Sequence, residues 1–329
     1  MKPEITDRIF KIKERDDFLN TSLEIFNYQA KGNPVYRLYL DLLGSKYNKP
    51  EHIEDIPFLP AGLFRNHKIL TGNKPVEMIF QSSGTTGISA SRHFITDLSL
   101  YERSFLSAFN IFYGDPADYI IYALLPSYNQ RSNSSLVYMV NYLMRKTKND
   151  LSVFYRNDYN EFLIKIEEGK GQGKKMLMIG VSYALLDLAE AGNPDFSGLI
   201  VMETGGMKGR RRELIRSELH SLLKSKFNIR EVHSEYGMTE LLSQAYSKGK
   251  GIFCCPPWMK ILIRDPQNPL SVSTKPGRSG GINIIDLANV NSCSFIATDD
   301  LGKLYADGSF EVLGRLDNSD IRGCNLLIE

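Results

Sequence analysis

Between residues 76 and 233 the chain alternates short apolar runs with helical patterns, and this alternation constrains its fold more than any other feature. Val76 to Phe80, Tyr119 to Leu125, Lys175 to Gly180, Gly198 to Glu203 and Ile229 to His233 read as strands. Leu98 to Phe112, Ser134 to Arg145, Tyr183 to Ala191 and Arg210 to Phe227 carry apolar residues at helical spacing. Strands separated by helices imply crossover connections, and crossovers imply a mainly parallel sheet. The first fifty residues also look helical, through Phe18, Leu23, Phe26 and Tyr36 to Leu40, with Gly44 as a stop. The prolines of Ile56-Pro57-Phe58-Leu59-Pro60 argue for an extended surface passage rather than a central strand. After residue 258 the helices cease. Met259 to Ile263, Gly281 to Ile285, Ser294 to Ala297 and Phe310 to Leu313 alternate with Gly, Asp and Asn turns. The expected architecture is therefore α/β. Residues 1–257 form a helical segment plus an α/β region, and 258–329 a smaller β-rich subdomain, with the boundary near Pro256-Pro257.

Composition narrows the function classes. Apolar residues make up 42% and charged residues 24% of 329, which excludes a disordered or fibrous chain. Forty Lys and Arg against 38 Asp and Glu leave a net charge of +2, far from the basic excess of a dedicated nucleic-acid binder. The four cysteines are Cys254, Cys255, Cys293 and Cys324. Adjacent Cys254-Cys255 lacks the gap that lets two thiolates grip one zinc ion. No stretch approaches the apolar length of a membrane span, and the amino terminus has no apolar leader, so a cytoplasmic protein is expected.

The sharpest local signal is Gln81-Ser82-Ser83-Gly84-Thr85-Thr86-Gly87, directly after an expected strand. Its two glycines permit a tight turn with inward N–H groups, and its four hydroxyls add donors, a combination that suits phosphate oxygens. No Lys-Ser/Thr follows, so it is not a Walker loop. Taken alone it reads equally well as a Ser/Thr/Gly hairpin turn. Four further segments share its chemistry. Tyr236-Gly237-Met238-Thr239-Glu240 offers an aromatic face, a hydroxyl and a carboxylate, and is expected to open a helix after the strand at 229–232. Glu203-Thr204-Gly205-Gly206 ends another strand. Thr298-Asp299-Asp300-Leu301-Gly302 sets adjacent carboxylates at a turn, and Gly314-Arg315-Leu316-Asp317 precedes Ile321-Arg322-Gly323-Cys324. Loops at the carboxyl ends of parallel strands converge on one crevice, which makes a shared nucleotide site the natural reading.

The Ser-Ser-Gly-Thr-Thr-Gly loop, the Tyr-Gly-x-Thr-Glu segment, the Thr-x-Asp turn and the Gly-Arg-x-Asp hinge resemble, in that order, the core motifs of the adenylate-forming superfamily. That superfamily includes acyl-CoA synthetases, firefly-type luciferases and peptide-synthetase adenylation domains. Within it the chain is most similar to acyl-protein synthetases, the fatty-acid ligase component of bacterial fatty acid reductase complexes. The short length, Glu203 to Arg210, and the ending Arg322-Gly323-Cys324-Asn325 carry that likeness. The resemblance implies ATP and Mg²⁺ as cofactors, a carboxylic and specifically a fatty acid as substrate, and an acyl reductase or acyl-carrier partner. It implies that Ser82, Ser83, Gly84, Thr85, Thr86 and Gly87 embrace the β- and γ-phosphates. Gly205 and Gly206 would line the adenine slot, with Tyr236 and Gly237 against the base. Thr239 would contact the α-phosphate, Glu240 would hold Mg²⁺, Asp300 the ribose, and Arg315 would lie beside it. Gly180 to Tyr183 would border the acyl pocket. Two departures stand out. The superfamily loop continues with Pro-Lys, whereas here Ile88 to Arg92 follows, so Arg92 is the expected replacement cation. The sequence also stops shortly after the hinge, which leads to the expectation that the mobile C-terminal domain and its lysine are absent. An acyl group must then leave for a thiol, and Cys324, beside Arg322, is the acceptor the resemblance implies. CoA, a carrier-protein arm or an amine are the alternative acceptors, and a catalytically degraded homologue the alternative function.

Overall fold

The computed structural model describes residues 3–47, 49–82, 89–125, 133–155, 159–192, 194–205 and 214–316. Helices Pro3–Ile9, Arg15–Gly32 and Pro34–Leu43 open the chain. Asn33 caps the third helix by accepting from the Val35 and Tyr36 amides, each at 3.1 Å, and Pro34 fills the first helical position, where its missing N–H costs nothing.

The centre of the molecule is a six-stranded sheet. Its spatial order is Val153–Phe154, Tyr119–Leu124, Lys175–Val181, Leu199–Thr204, Val232–Tyr236 and Ala245–Ser247. The first five strands run parallel and the last antiparallel. Every residue of Tyr119–Leu124 is buried, as expected for a strand covered by helices on both faces. Leu98–Tyr113 is one such cover. Asp97 caps it by accepting from the Leu100 amide, and Leu100, Tyr101, Ser104, Phe105, Ala108 and Phe109 form its buried stripe. Ser182–Ala191 and Arg216–Phe227 follow the third and fourth strands.

A second, antiparallel sheet is ordered Ile252–Phe253, Phe310–Arg315, Phe295–Leu304, Ser279–Asp286, Met259–Arg264 and Val272–Ser273. It recruits its first strand from before Pro256-Pro257. It also borrows Leu59–Pro60, which pairs in parallel with Ile296 and Ala297. The two sheets meet through Arg216, whose Nη1 donates to the Val312 carbonyl at 3.0 Å while its Nε donates to Glu203 Oε1 at 3.3 Å. Trp258 adds a second link, donating from Nε1 to the Ser104 and Ser243 hydroxyls.

Four local expectations change. Met78–Gln81 does not join the parallel sheet; it forms an antiparallel hairpin with Arg92–Ile95, so the Ser/Thr/Gly loop connects the arms of a hairpin. Ile56, Pro57, Phe58 and Leu59 are buried rather than superficial, because proline is unfit for a central ladder but not for burial against one. Tyr236 ends its strand, and Thr239-Glu240 is a turn rather than a helix start. Thr298 to Gly302 lies within the strand Phe295–Leu304, whose register shifts at Leu301/Gly302. That bulge explains why paired aspartates and a glycine imitate a turn in the sequence.

Candidate functional site

Strand register brings the expected loops together. Gly180 pairs with Glu203 and Val181 with Thr204, while Thr204 pairs with Glu235. Residues 204–205 and 235–240 therefore emerge side by side from one sheet edge. Gly205 has φ +75°, a conformation that L side chains rarely adopt, and it turns the chain away at once. Thr204 Oγ1 donates to Glu235 Oε2 at 2.5 Å, and a Cβ at Gly237 would run into that same carboxylate.

A cleft of about 350 Å³ lies over this edge. Ser82, Gly205, Gly237, Thr239, Glu240 and Arg315 all line it. They come from four separate stretches of chain. Ser82 and Ser91 stitch the base of the hairpin connection: the Ser82 amide donates to the Ser91 carbonyl at 3.1 Å, and the Ser91 amide to Ser82 Oγ at 2.9 Å. Ser83, Gly84, Thr85, Thr86, Gly87, Gly206 and Cys324 lie outside the described residues.

Tyr236 and Asp300 are joined to each other and do not line the cleft. The Tyr236 hydroxyl donates to Asp300 Oδ2 at 2.7 Å, and the ring packs edge-on against Phe253 and Phe310 at 5.9 and 5.5 Å. Asp300 and Arg315 are register partners, with Arg315 Nε 3.8 Å from Asp300 Oδ1. Burial pushes the Asp300 carboxyl up, against the Tyr236 hydrogen bond and the Arg315 charge. Arg92 departs from the role expected of it. Strand alternation turns Ser91 and His93 inward and Arg92 outward, where its guanidinium lies 5.8 Å from the Phe94 ring centre.

The turn carrying Thr239 and Glu240 is pinned by three buried polar groups. His93 Nδ1 lies 2.8 Å from the Thr239 carbonyl, which assigns the ring proton to Nδ1. Burial holds the His93 pKa down at about 4, so the ring is neutral at pH 7. Asn289 Nδ2 donates to the Glu240 carbonyl at 2.7 Å. Asp286 Oδ2 accepts from the Leu242 and Ser243 amides at 2.7 and 3.0 Å, and Oδ1 accepts from the Ser243 hydroxyl at 2.5 Å.

Glu240 itself is 6% exposed. Burial raises its carboxyl pKa, while Ser91 and the Arg65 charge act in the opposite direction. A carboxylate in that state gains from a nearby cation. Among the described residues no three His, Cys, Asp or Glu side chains gather where they could hold a metal.

Nothing local in the sequence singles out Arg65, Asp286 or Asn289. Arg65 lines the cleft from the four-residue helix Leu63–Asn66. No motif marks it, and only the burial of the preceding Ile56 to Leu59 run hints that this segment belongs inside the molecule. Asp286 and Asn289 lie beyond an ordinary strand, and their partners are too distant in sequence to be read from spacing.

No family model matches the chain, and no curated protein does. Solved structures share its fold. ATP-bound MatB from Rhodopseudomonas palustris is 17% identical, with a TM-score of 0.55 over 74% of this chain and 49% of that one. An ATP-bound RpMatB-BxBclM chimera is 19% identical with the same TM-score and coverages. Apo MatB from R. palustris is 16% identical, with a TM-score of 0.53 over 73% and 48%. The chain spans about half the length of these structures. The mixed α/β architecture of this chain is the fold it shares with these structures. Among the described residues no helix is long and apolar enough to cross a membrane.

Proposed function

We propose that the chain activates a carboxylic acid with ATP, forming an acyl-adenylate and releasing pyrophosphate. The observation that carries this reading is the convergence of Ser82, Gly205, Gly237, Thr239, Glu240 and Arg315 on one cleft, in a fold shared with ATP-bound MatB. A substrate carboxylate oxygen attacks the α-phosphorus; the bond from that phosphorus to the bridging oxygen of the β-phosphate breaks, and pyrophosphate departs with its electron pair. The protein contributes placement and charge. Thr239 offers its hydroxyl to the α-phosphate, and Asp300, held by Tyr236, faces the ribose side. Glu240 would hold Mg²⁺, which would supply charge neutralisation when bound. The mixed anhydride is prone to hydrolysis, so the second step must capture it before water does.

In that second step a thiolate attacks the acyl carbon and AMP leaves. The described cysteines are poor thiolates. Burial pushes the Cys293 thiol up to about 12, and raises those of Cys255 and Cys254 as well. The acceptor role of Cys324 rests on the sequence resemblance. A fatty acid substrate and delivery to an acyl reductase complete the reading, and rest on the sequence resemblance. The test couples two assays. Acid-dependent exchange of labelled pyrophosphate into ATP, run across acids graded by chain length, should identify the substrate. Cys324→Ser should keep the exchange but no longer retain label from radioactive acid. Label retained by the variant would remove Cys324 from the mechanism, and label moving instead to added CoA or a carrier protein would identify the acceptor. No exchange with any acid would sink the adenylation reading.

A further inference from the structure

The nucleotide site proposed above has to accommodate the negative charge of a triphosphate, and the hairpin connection offers no lysine in the place where the resembling loops carry one. Arg92 is turned away over Phe94. Among the described cleft residues the cations are Arg315 and Arg65. Arg315 sits opposite Asp300 on the antiparallel sheet, and its side chain is 74% exposed. Arg65 shares the cleft with Ser82, Ser89, Ser91, Thr239 and Glu240, the residues of the phosphate end.

The backbone beneath Arg65 is fixed from two directions. Leu59 and Pro60 pair with Ile296 and Ala297, and the Ala61 amide donates to the Ala297 carbonyl at 2.9 Å. Phe64 is fully buried, with its ring edge-on to His93 at 5.6 Å. His93 is the residue that holds the Thr239 carbonyl, so Arg65 and the Thr239-Glu240 turn rest on one common support. The guanidinium is only partly committed. Among the described residues its ion pair is with Asp299, at 3.9 Å, beyond hydrogen-bond distance, and its side chain is 36% exposed. A planar fork of donors on a fixed base, open to a cleft, matches phosphate oxygens in a way that a lysine does not.

We propose that Arg65 grips the β- and γ-phosphates of ATP and then the departing pyrophosphate, replacing from the N-terminal segment the cation that the hairpin loop lacks. This inference rests on the adenylation reading. Arg65 transfers no proton; its positive charge meets the negative charge that builds on the leaving group.

Calorimetric titration of the whole chain with MgATP, AMP and inorganic pyrophosphate tests it. Arg65→Ala should weaken ATP and pyrophosphate binding at least about tenfold, the usual scale for losing a charge-assisted contact, and leave AMP within about twofold. Arg65→Lys should restore part of the loss, since it returns the charge without the fork. Thermal unfolding should be unaltered in both variants. Equal weakening of ATP and AMP, or no change in either, would overturn the assignment while leaving the nucleotide site standing. A wild-type chain that binds neither ATP nor AMP would overturn both.

Discussion

The two ends of the cleft are built differently. At the end proposed for the phosphates, the Thr239-Glu240 turn is held by His93, Asn289 and Asp286, all buried, from three other elements of the fold. At the end proposed for the ribose, the cleft is lined by Arg315, most of whose side chain is in solvent; it pairs loosely with Asp300, which lies behind it and accepts from the Tyr236 hydroxyl. Buried polar groups that hydrogen-bond the backbone of a turn specify its arrangement, whereas a solvent-exposed ion pair specifies little. The contrast gives the Thr239-Glu240 turn a preformed geometry and leaves the Arg315 side free to adjust.

The hardest blow to this contrast would come from Asp286→Ala. The Leu242 and Ser243 amides and the Ser243 hydroxyl would lose their acceptor inside the core, at a cost of about 3 kcal/mol in denaturant unfolding. A loss below about 1 kcal/mol would mean that the turn is not pinned there. His93→Gln probes the same end through pH. The folded ring has its pKa lowered to about 4 from 6.5 by burial, so between those values the unfolded chain takes up a proton that the folded one refuses. Stability from this residue is therefore present above pH 6.5 and is lost as pH falls toward 4. Between pH 7 and 4.5 the wild type should lose roughly 2 kcal/mol more than the Gln variant, which keeps a donor for the Thr239 carbonyl but does not titrate. Parallel pH profiles for the two would remove His93 from the clamp. At the other end, Arg315→Ala should shift stability by less than about 0.5 kcal/mol. A larger change would show that the ribose end is as firmly built as the phosphate end.

Much of the scaffold is legible in the sequence because its signals are local. Asp97 followed by an apolar stripe announces Leu98–Tyr113, and the unbroken run Tyr119–Leu124 could only be a covered strand. The turns that flank the cleft are also legible from their glycines and hydroxyls, although the Ser/Thr/Gly loop taken alone reads equally well as the hairpin connection that the pairing of its flanking strands gives it. What the sequence hides is pairing and burial at a distance. Met78–Gln81 reads as a strand, but nothing in it says that its partner is Arg92–Ile95 rather than the parallel sheet. Asp286 looks like any aspartate after a strand until the amides of Leu242 and Ser243 are brought to it. Arg65 has no local signature at all, because its place depends on Leu59 and Pro60 meeting Ile296 and Ala297.

That last pairing has a consequence for the order in which the protein is assembled during translation. The strands of the parallel sheet, and with them Thr239 and Glu240, leave the ribosome well before Phe295–Leu304 is made. Until that strand emerges, Leu59 and Pro60 have no partner and the segment bearing Arg65 has no seat. A nascent polypeptide would thus carry most of its cleft while still missing one wall, and closing that wall joins an early-made part of the chain to one of the latest.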